Sequence, residues 1–137
     1  MTYIRAFVGH SFTEDDDPVV RTYLDYFTEL QKVVPGFTWD HAKAAEAKDL
    51  SEKVLLKIQD KNLFIAICTQ KERVIAANGL KPSVWPWKHL AAAENSFEWK
   101  TSDWITQEIG LAVGRDMELM ILLENGVSRP GDLQGNH

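Results

Sequence analysis

Leu63-Phe64-Ile65-Ala66-Ile67-Cys68 places six apolar residues in an unbroken row. A strand with one wet face alternates apolar and polar side chains, so a continuous run suits a strand covered on both faces. Strands of a parallel sheet lie that way, between layers of helices. Glu118-Leu119-Met120-Ile121-Leu122-Leu123 has the same character and is expected to be a second fully buried strand. Two shorter strands precede them: Tyr3–Val8, ended by Gly9, and Phe37-Thr38-Trp39. The intervening segments keep helical spacing. Asp17 is placed as an N-cap with Pro18 as the first helical residue. Val20, Leu24, Phe27, Leu30 and Val34 form the apolar stripe, and Pro35-Gly36 ends it. Asp49 and Glu52 have capping-box spacing and open a helix carrying Leu50, Val54, Leu55 and Ile58. This alternation predicts one α/β domain over 1–137, a three-layer sandwich around a central parallel sheet. Ligands of such folds bind beyond the carboxyl ends of the strands. The loops Gly9–Thr13 and Trp39–Lys48, and the chain from Thr69 onward, fall at that end.

The third helix is the informative one. Ser102 is its expected N-cap, Asp103 suits the positive end of the helix dipole and Arg115 the negative end. At about 100° per residue, Trp104, Ile105, Ile109, Leu111, Ala112 and Val113 fill one apolar arc. Glu108 falls inside that arc, one turn after Trp104. Burying a carboxylate without a partner is costly, and this glutamate lies too far from the cap to close a capping box. Two readings stand: a functional carboxylate held against an aromatic ring, or an arc that turns to solvent at a sheet edge. Trp104 itself, at this spacing, is more often core than stacking platform.

Composition excludes several classes. With 45% hydrophobic and 26% charged residues the chain is globular, not disordered. A net charge of −5, without a Lys/Arg stripe, disfavours a nucleic-acid partner. Cys68 is the only cysteine, so no disulfide framework exists, and the four histidines show no metal-ligand spacing. No apolar run approaches the ~20 residues of a membrane span, and no signal peptide is evident. The expected compartment is the cytoplasm. Residues from about Gln70 to Lys100 break the rhythm as an insertion would. They hold Trp85, Trp87 and Trp99, three of the five tryptophans, and are expected to pack. The tail from Gly126 carries no recognisable element.

Ala6-Phe7-Val8-Gly9-His10-Ser11 resembles the first box of the TIR (Toll/interleukin-1 receptor) family, although Arg5 stands near the family's usual acidic residue. Asp103-Trp104-Ile105-Thr106-Gln107-Glu108 resembles the motif of the enzymatic, bacterial-type branch, in which a glutamate one turn after a tryptophan cleaves NAD+. The resemblance covers most of the chain and implies a flavodoxin-like fold. The family's fifth strand and last helix are missing, so the chain is expected to be the N-terminal part of a longer protein. The implied activity is that of an NAD+ nucleosidase (a glycohydrolase or ADP-ribosyl cyclase) in signalling or antiphage defence. NAD+, or a related nucleotide, would be the substrate, with no cofactor and no metal. Glu108 would be the catalytic residue, stabilising an oxocarbenium-like ribose. Nicotinamide leaves a cation as a neutral molecule, so the acidic second carboxyl of ordinary glycosidases is not needed. Phe12, Trp39 and Trp104 would stack on the rings, the amides of Gly9, His10 and Ser11 would meet phosphates, and Asp40, which opens the polar loop, would also bind the substrate. Such domains also self-associate through TIR–TIR contacts.

Three rival readings compete with this one. A TIR module that only scaffolds would bind other TIR domains through the loop Asp40–Asp49 and helix faces; the presence of Glu108 favours the enzyme. A phosphoacceptor receiver requires an aspartate at the end of the third strand, where this chain has Cys68-Thr69. A nucleoside deoxyribosyltransferase-like enzyme also applies a glutamate to an N-glycosidic bond, and remains open. The tryptophans of the insertion supply a direct test of its packing: Trp87→Ala is expected to destabilise the fold by about 3–5 kcal/mol, read as a lowered thermal midpoint.

Overall fold

The computed structural model describes residues 3–11, 17–42, 50–75, 81–82, 90–91 and 97–130. Four parallel strands form the central sheet: β1 (Ile4–Gly9), β2 (Phe37–His41), β3 (Leu63–Cys68) and, last in the chain, β8 (Glu118–Leu123), in the order β2-β1-β3-β8. All three pairings are parallel. The helices are α1 (Asp17–Val33), α2 (Leu50–Ile58) and α3 (Asp103–Gly114). The architecture is α/β and flavodoxin-like, as the alternating pattern predicts.

Side-chain alternation along the strands sorts the core into two layers. Ala6, Val8, Ile65 and Ile67 face α1 and pack with Phe27, Leu24 and Leu30. Phe7, Phe64, Ala66 and Cys68 face α2 and α3 and pack with Val54, Ile58, Ile105, Ile109 and Ala112. β3 is covered on both faces, every residue after Leu63 being buried, which is what its unbroken apolar run requires.

Four expectations are revised. β8 is not fully buried: it lies at the edge of the sheet, with Met120 46% and Leu123 38% exposed. Leu119 and Ile121 reach the α2/α3 layer, but Met120 pairs with Ile65 on the face where α1 leaves the edge open. An apolar run alone does not distinguish a central strand from an edge one. Second, β2 extends through Asp40 and His41, because the parallel pairing continues to Val8↔His41; these two residues belong to the strand and not to the loop. Third, Val113 is 51% exposed, so the apolar arc of α3 is narrower than its composition implies. Fourth, α1 takes in Asp17 as its first helical residue. The capping-box pair Asp49 and Glu52 concerns an end whose first residue and side chains lie outside the described set.

The caps of α3 follow their residue types. Ile105 N–H donates to Ser102 Oγ at 3.3 Å. At the other end, Met117 N bonds to Ala112 O and Asp116 N to Val113 O, both at 3.1 Å, with Asp116 left-handed at φ 56°. That is a Schellman closure, with an aspartate tolerating the conformation.

The broken stretch before α3 contains two small antiparallel pairs. β4 (Glu72–Val74) pairs with β7 (Glu98–Lys100), and β5 (Lys81–Pro82) with β6 (Leu90–Ala91). Trp99 is half-buried against the α2/α3 layer, and the Arg73 guanidinium lies 4.6 Å from the Phe97 ring centroid. Trp85 and Trp87 lie outside the described residues. Ile105, wholly buried where α3 meets the sheet, is the most direct test of this layer. Ile105→Ala is expected to cost about 2–5 kcal/mol, measured by denaturant unfolding.

Candidate functional site

The excursion through β4–β7 returns the chain to the carboxyl edge of the sheet, so α3 begins there and descends across β3. Glu108 lies on its second turn and is 1% exposed. Its depth is set by a glycine: a Cβ at Gly9 would stand 2.5 Å from Glu108 Oε2 and 2.8 Å from Phe64 Cζ. Only a residue without a side chain lets the carboxyl and the phenyl ring close onto the end of β1. The solvent-facing reading of the arc is thereby removed.

The carboxyl has few polar neighbours. Glu108 Oε2 has no hydrogen-bond partner among the described residues, and neither has Thr101 Oγ1 just before the helix, also buried. Buried polar atoms in native folds are rarely left in this state, and each asks for an explanation. Desolvation pushes the Glu108 pKa from 4.5 up to about 8; the Trp104 side chain, one turn earlier, pulls the other way. Among the described residues no cation enters that balance.

On the other side of the same edge lies a second polar group. His10 is buried, with Nδ1 2.8 Å from Ser11 O and Nε2 2.8 Å from His41 Nδ1. A carbonyl only accepts, so Nδ1 of His10 carries a hydrogen; neutral His10 then accepts at Nε2 from His41. Burial lowers the pKa of His10, against the Ser11 carbonyl and Asp17, which agrees with this neutral form. The ring of His41 continues toward Trp39 (centroids 5.4 Å apart) and Trp39 toward Phe27 (6.1 Å). His41 was not singled out from sequence; the period-two pattern Phe37, Trp39, His41 was its available signal.

The expected site residues therefore divide. Gly9 and Trp104 come together with Glu108. His10 and Ser11 sit at the same edge, buried and bonded to each other. Trp39 packs in the α1 layer, across the sheet from Glu108. Asp40 lies in β2, accepts from the His41 amide at 2.8 Å and stands 3.9 Å from Lys57 Nζ. Phe12 lies outside the described residues. Burial pushes the Cys68 thiol up to about 12, which keeps it protonated and a poor nucleophile. Two clefts of about 290 and 240 Å³ run between α1 and β8, and neither is lined by Glu108. Among the described residues no group of three His, Cys, Asp or Glu could hold a metal, and no helix is long and apolar enough to cross a membrane.

In comparisons with known proteins, no family model, curated protein or solved structure matches the chain.

The raised pKa has a consequence for stability with a definite sign. Between pH 4.5 and about 8 the unfolded chain ionises Glu108 while the folded one keeps its proton. Folding there takes up a proton, so this residue's contribution is whole below 4.5 and is lost as pH rises through 8. The full loss is on the order of 5 kcal/mol at about 1.4 kcal/mol per unit. Glu108→Gln keeps the shape and cannot ionise. It is expected to melt above the parent at pH 8 and to lose that advantage near pH 4.5, in parallel thermal scans.

Proposed function

We propose that the chain is an NAD+-cleaving TIR-type domain in which Glu108 stabilises the positive charge developing on the nicotinamide ribose. The observation that carries this reading is the buried carboxyl at the carboxyl edge of a parallel sheet, pressed on Gly9 and with no cation acting on it among the described residues. Electrostatic stabilisation is largest where water is excluded, and Glu108 is excluded from it. In this reading Trp104, half-buried in the same stripe of α3, would stack on the leaving ring. The substrate is NAD+ or a related nucleotide, and signalling or defence is the setting that the resemblance suggests.

A second reading, a scaffold that binds other TIR domains, is favoured by the closed carboxyl and by apolar groups left exposed along α1 and β8. Tyr26 and Met120 are 59% and 46% exposed. Incubation of concentrated protein with NAD+, followed by chromatographic separation of products, decides between them. Glu108→Gln is expected to cut cleavage by at least about a hundredfold. Asp103→Asn is the control: Asp103 is exposed and pairs with Lys100, a surface contact that solvent screens. Absence of turnover by the parent at every concentration leaves the scaffold reading. Turnover by Glu108→Gln at the parent's rate moves the chemistry to another residue.

A further inference from the structure

The two edges of the central sheet are finished differently. At β2, Asp40 places a charge in the strand and Lys57 Nζ donates to His41 O at 3.3 Å. β8, at the other edge, has neither device. Leu119-Met120-Ile121-Leu122-Leu123 is apolar throughout, without lysine, proline or glycine. Its register with β3 runs unbroken from Glu118 to Leu123, so no bulge turns it away. Natural sheets blunt an edge with charge, proline or a bulge, because an unpaired edge is a template for a further strand. The ladder fixes which groups β8 offers. Glu118 N donates to Asn62 O at 3.1 Å and Glu124 N to Cys68 O at 2.9 Å. Even-numbered residues therefore bond toward β3, while Leu119, Ile121 and Leu123 turn N–H and C=O to the open side. Among the described residues β8 pairs with β3 alone.

The face of β8 toward α1 is shaped as well as apolar. Two clefts adjoin along it and share Tyr23 and Leu122. The first, about 290 Å³, is walled by Tyr23, Tyr26, Phe27, Met120 and Leu122. The second, about 240 Å³, continues toward the carboxyl end and includes Val19 and Glu124. The Glu124 carboxylate is held there, its Oε1 accepting from the Gln70 amide at 2.8 Å. Opposed residues of paired strands point to one face, and alternate residues return to it about 7 Å further on. A strand added at this edge places one side chain over the apolar cleft, opposite Leu122, and the next on that face opposite Glu124. The first position suits an aliphatic or aromatic group. The second suits a cation, which the net charge of −5 also attracts. We propose that the β8 edge docks an extended segment of another protein that carries an apolar residue and, two positions along, a lysine or arginine. Strand addition of this kind takes affinity from main-chain hydrogen bonds and selectivity from alternate pockets. A second copy of this chain is the poorer occupant. The antiparallel register that overlaps the whole strand sets Glu118 opposite Glu124 twice, and like charges so placed are unfavourable. Docking at this edge is independent of NAD+ cleavage at Glu108.

The test uses capped synthetic peptides of threonine with one isoleucine and, two positions along, one lysine. Binding is followed by NMR shifts and amide exchange of the isotope-labelled protein. Expected is new protection of the Leu119, Ile121 and Leu123 amides, with those of Met120 and Leu122, already bonded to β3, unchanged. Glutamate in place of lysine is expected to weaken binding roughly tenfold. Moving the lysine by one position, onto the opposite face, is expected to do the same. Methylating one alternate set of peptide amides is expected to cost roughly tenfold per amide, and methylating the other set nothing. Glu124→Gln keeps an acceptor for the Gln70 amide and is expected to bind lysine and glutamate peptides alike, its fold checked by thermal melting. Equal binding of the two peptides by the parent overturns the proposal, as do equal effects of the two methylated sets, shifts that spare β8, or no binding at millimolar peptide. Protection of Leu119, Ile121 and Leu123 before any peptide is added also overturns it. Light scattering then assigns the edge to a second copy if the protein is a dimer, and to the chain itself if it is a monomer.

Discussion

The contact on which the site depends is between a glycine and a carboxyl. Gly9 ends β1 with a bare Cα, and Glu108 Oε2 occupies the volume that any side chain there would take. The contact holds α3 close to the strand ends and closes Phe64 over the same point. It also removes the carboxyl from water, and the altered acidity of Glu108 follows from that removal more than from any charged neighbour. A one-atom difference at position 9 therefore bears on packing, electrostatics and chemistry together.

The rest of the architecture supports that contact from a distance. β3 brings Phe64, Ala66 and Cys68 to the α2/α3 layer and Ile65 and Ile67 to the α1 layer. Covered on both faces, it is the strand on which β1 and β8 hang their registers. The Ser102 cap and the Schellman closure at Asp116 satisfy both ends of α3, so a buried acid can be carried without fraying of the helix. Glu108 Oε2 and Thr101 Oγ1, both buried without a hydrogen-bond partner among the described residues, are unfavourable elements of this layer, and local conflicts of that kind concentrate at functional positions.

The carboxyl edge contains two polar systems that differ in kind. The His10–His41 pair is internally satisfied: each short contact has a donor and an acceptor, and the Ser11 carbonyl sets the order. Its members hold β1 and β2 together at their ends. Glu108 has no such partner at Oε2 among the described residues.

Much of this was legible in the chain. The unbroken run at Leu63–Cys68, the stripe of α1 from Val20 to Leu30 and the cap at Ser102 each reflect a local rule of periodicity or hydrogen bonding and appear in the structure at their expected places, whereas Val34, the expected end of that stripe, lies beyond the helix and is exposed. The inclusion of Glu108 in an apolar arc was equally visible. Whether that arc faced the core or solvent was not, because helical spacing specifies a face and not what lies opposite it. Only the tertiary structure decided that Gly9 lies opposite Glu108. The edge position of β8, the extension of β2 to His41 and the hydrogen bond from His41 to His10 were decided there too. Each depends on which segments become neighbours across many residues of chain, and apolar pattern alone carries no record of a neighbour. Trp39 shows the limit best: its place near a loop suggested a ligand platform, and strand alternation turned it into the opposite layer.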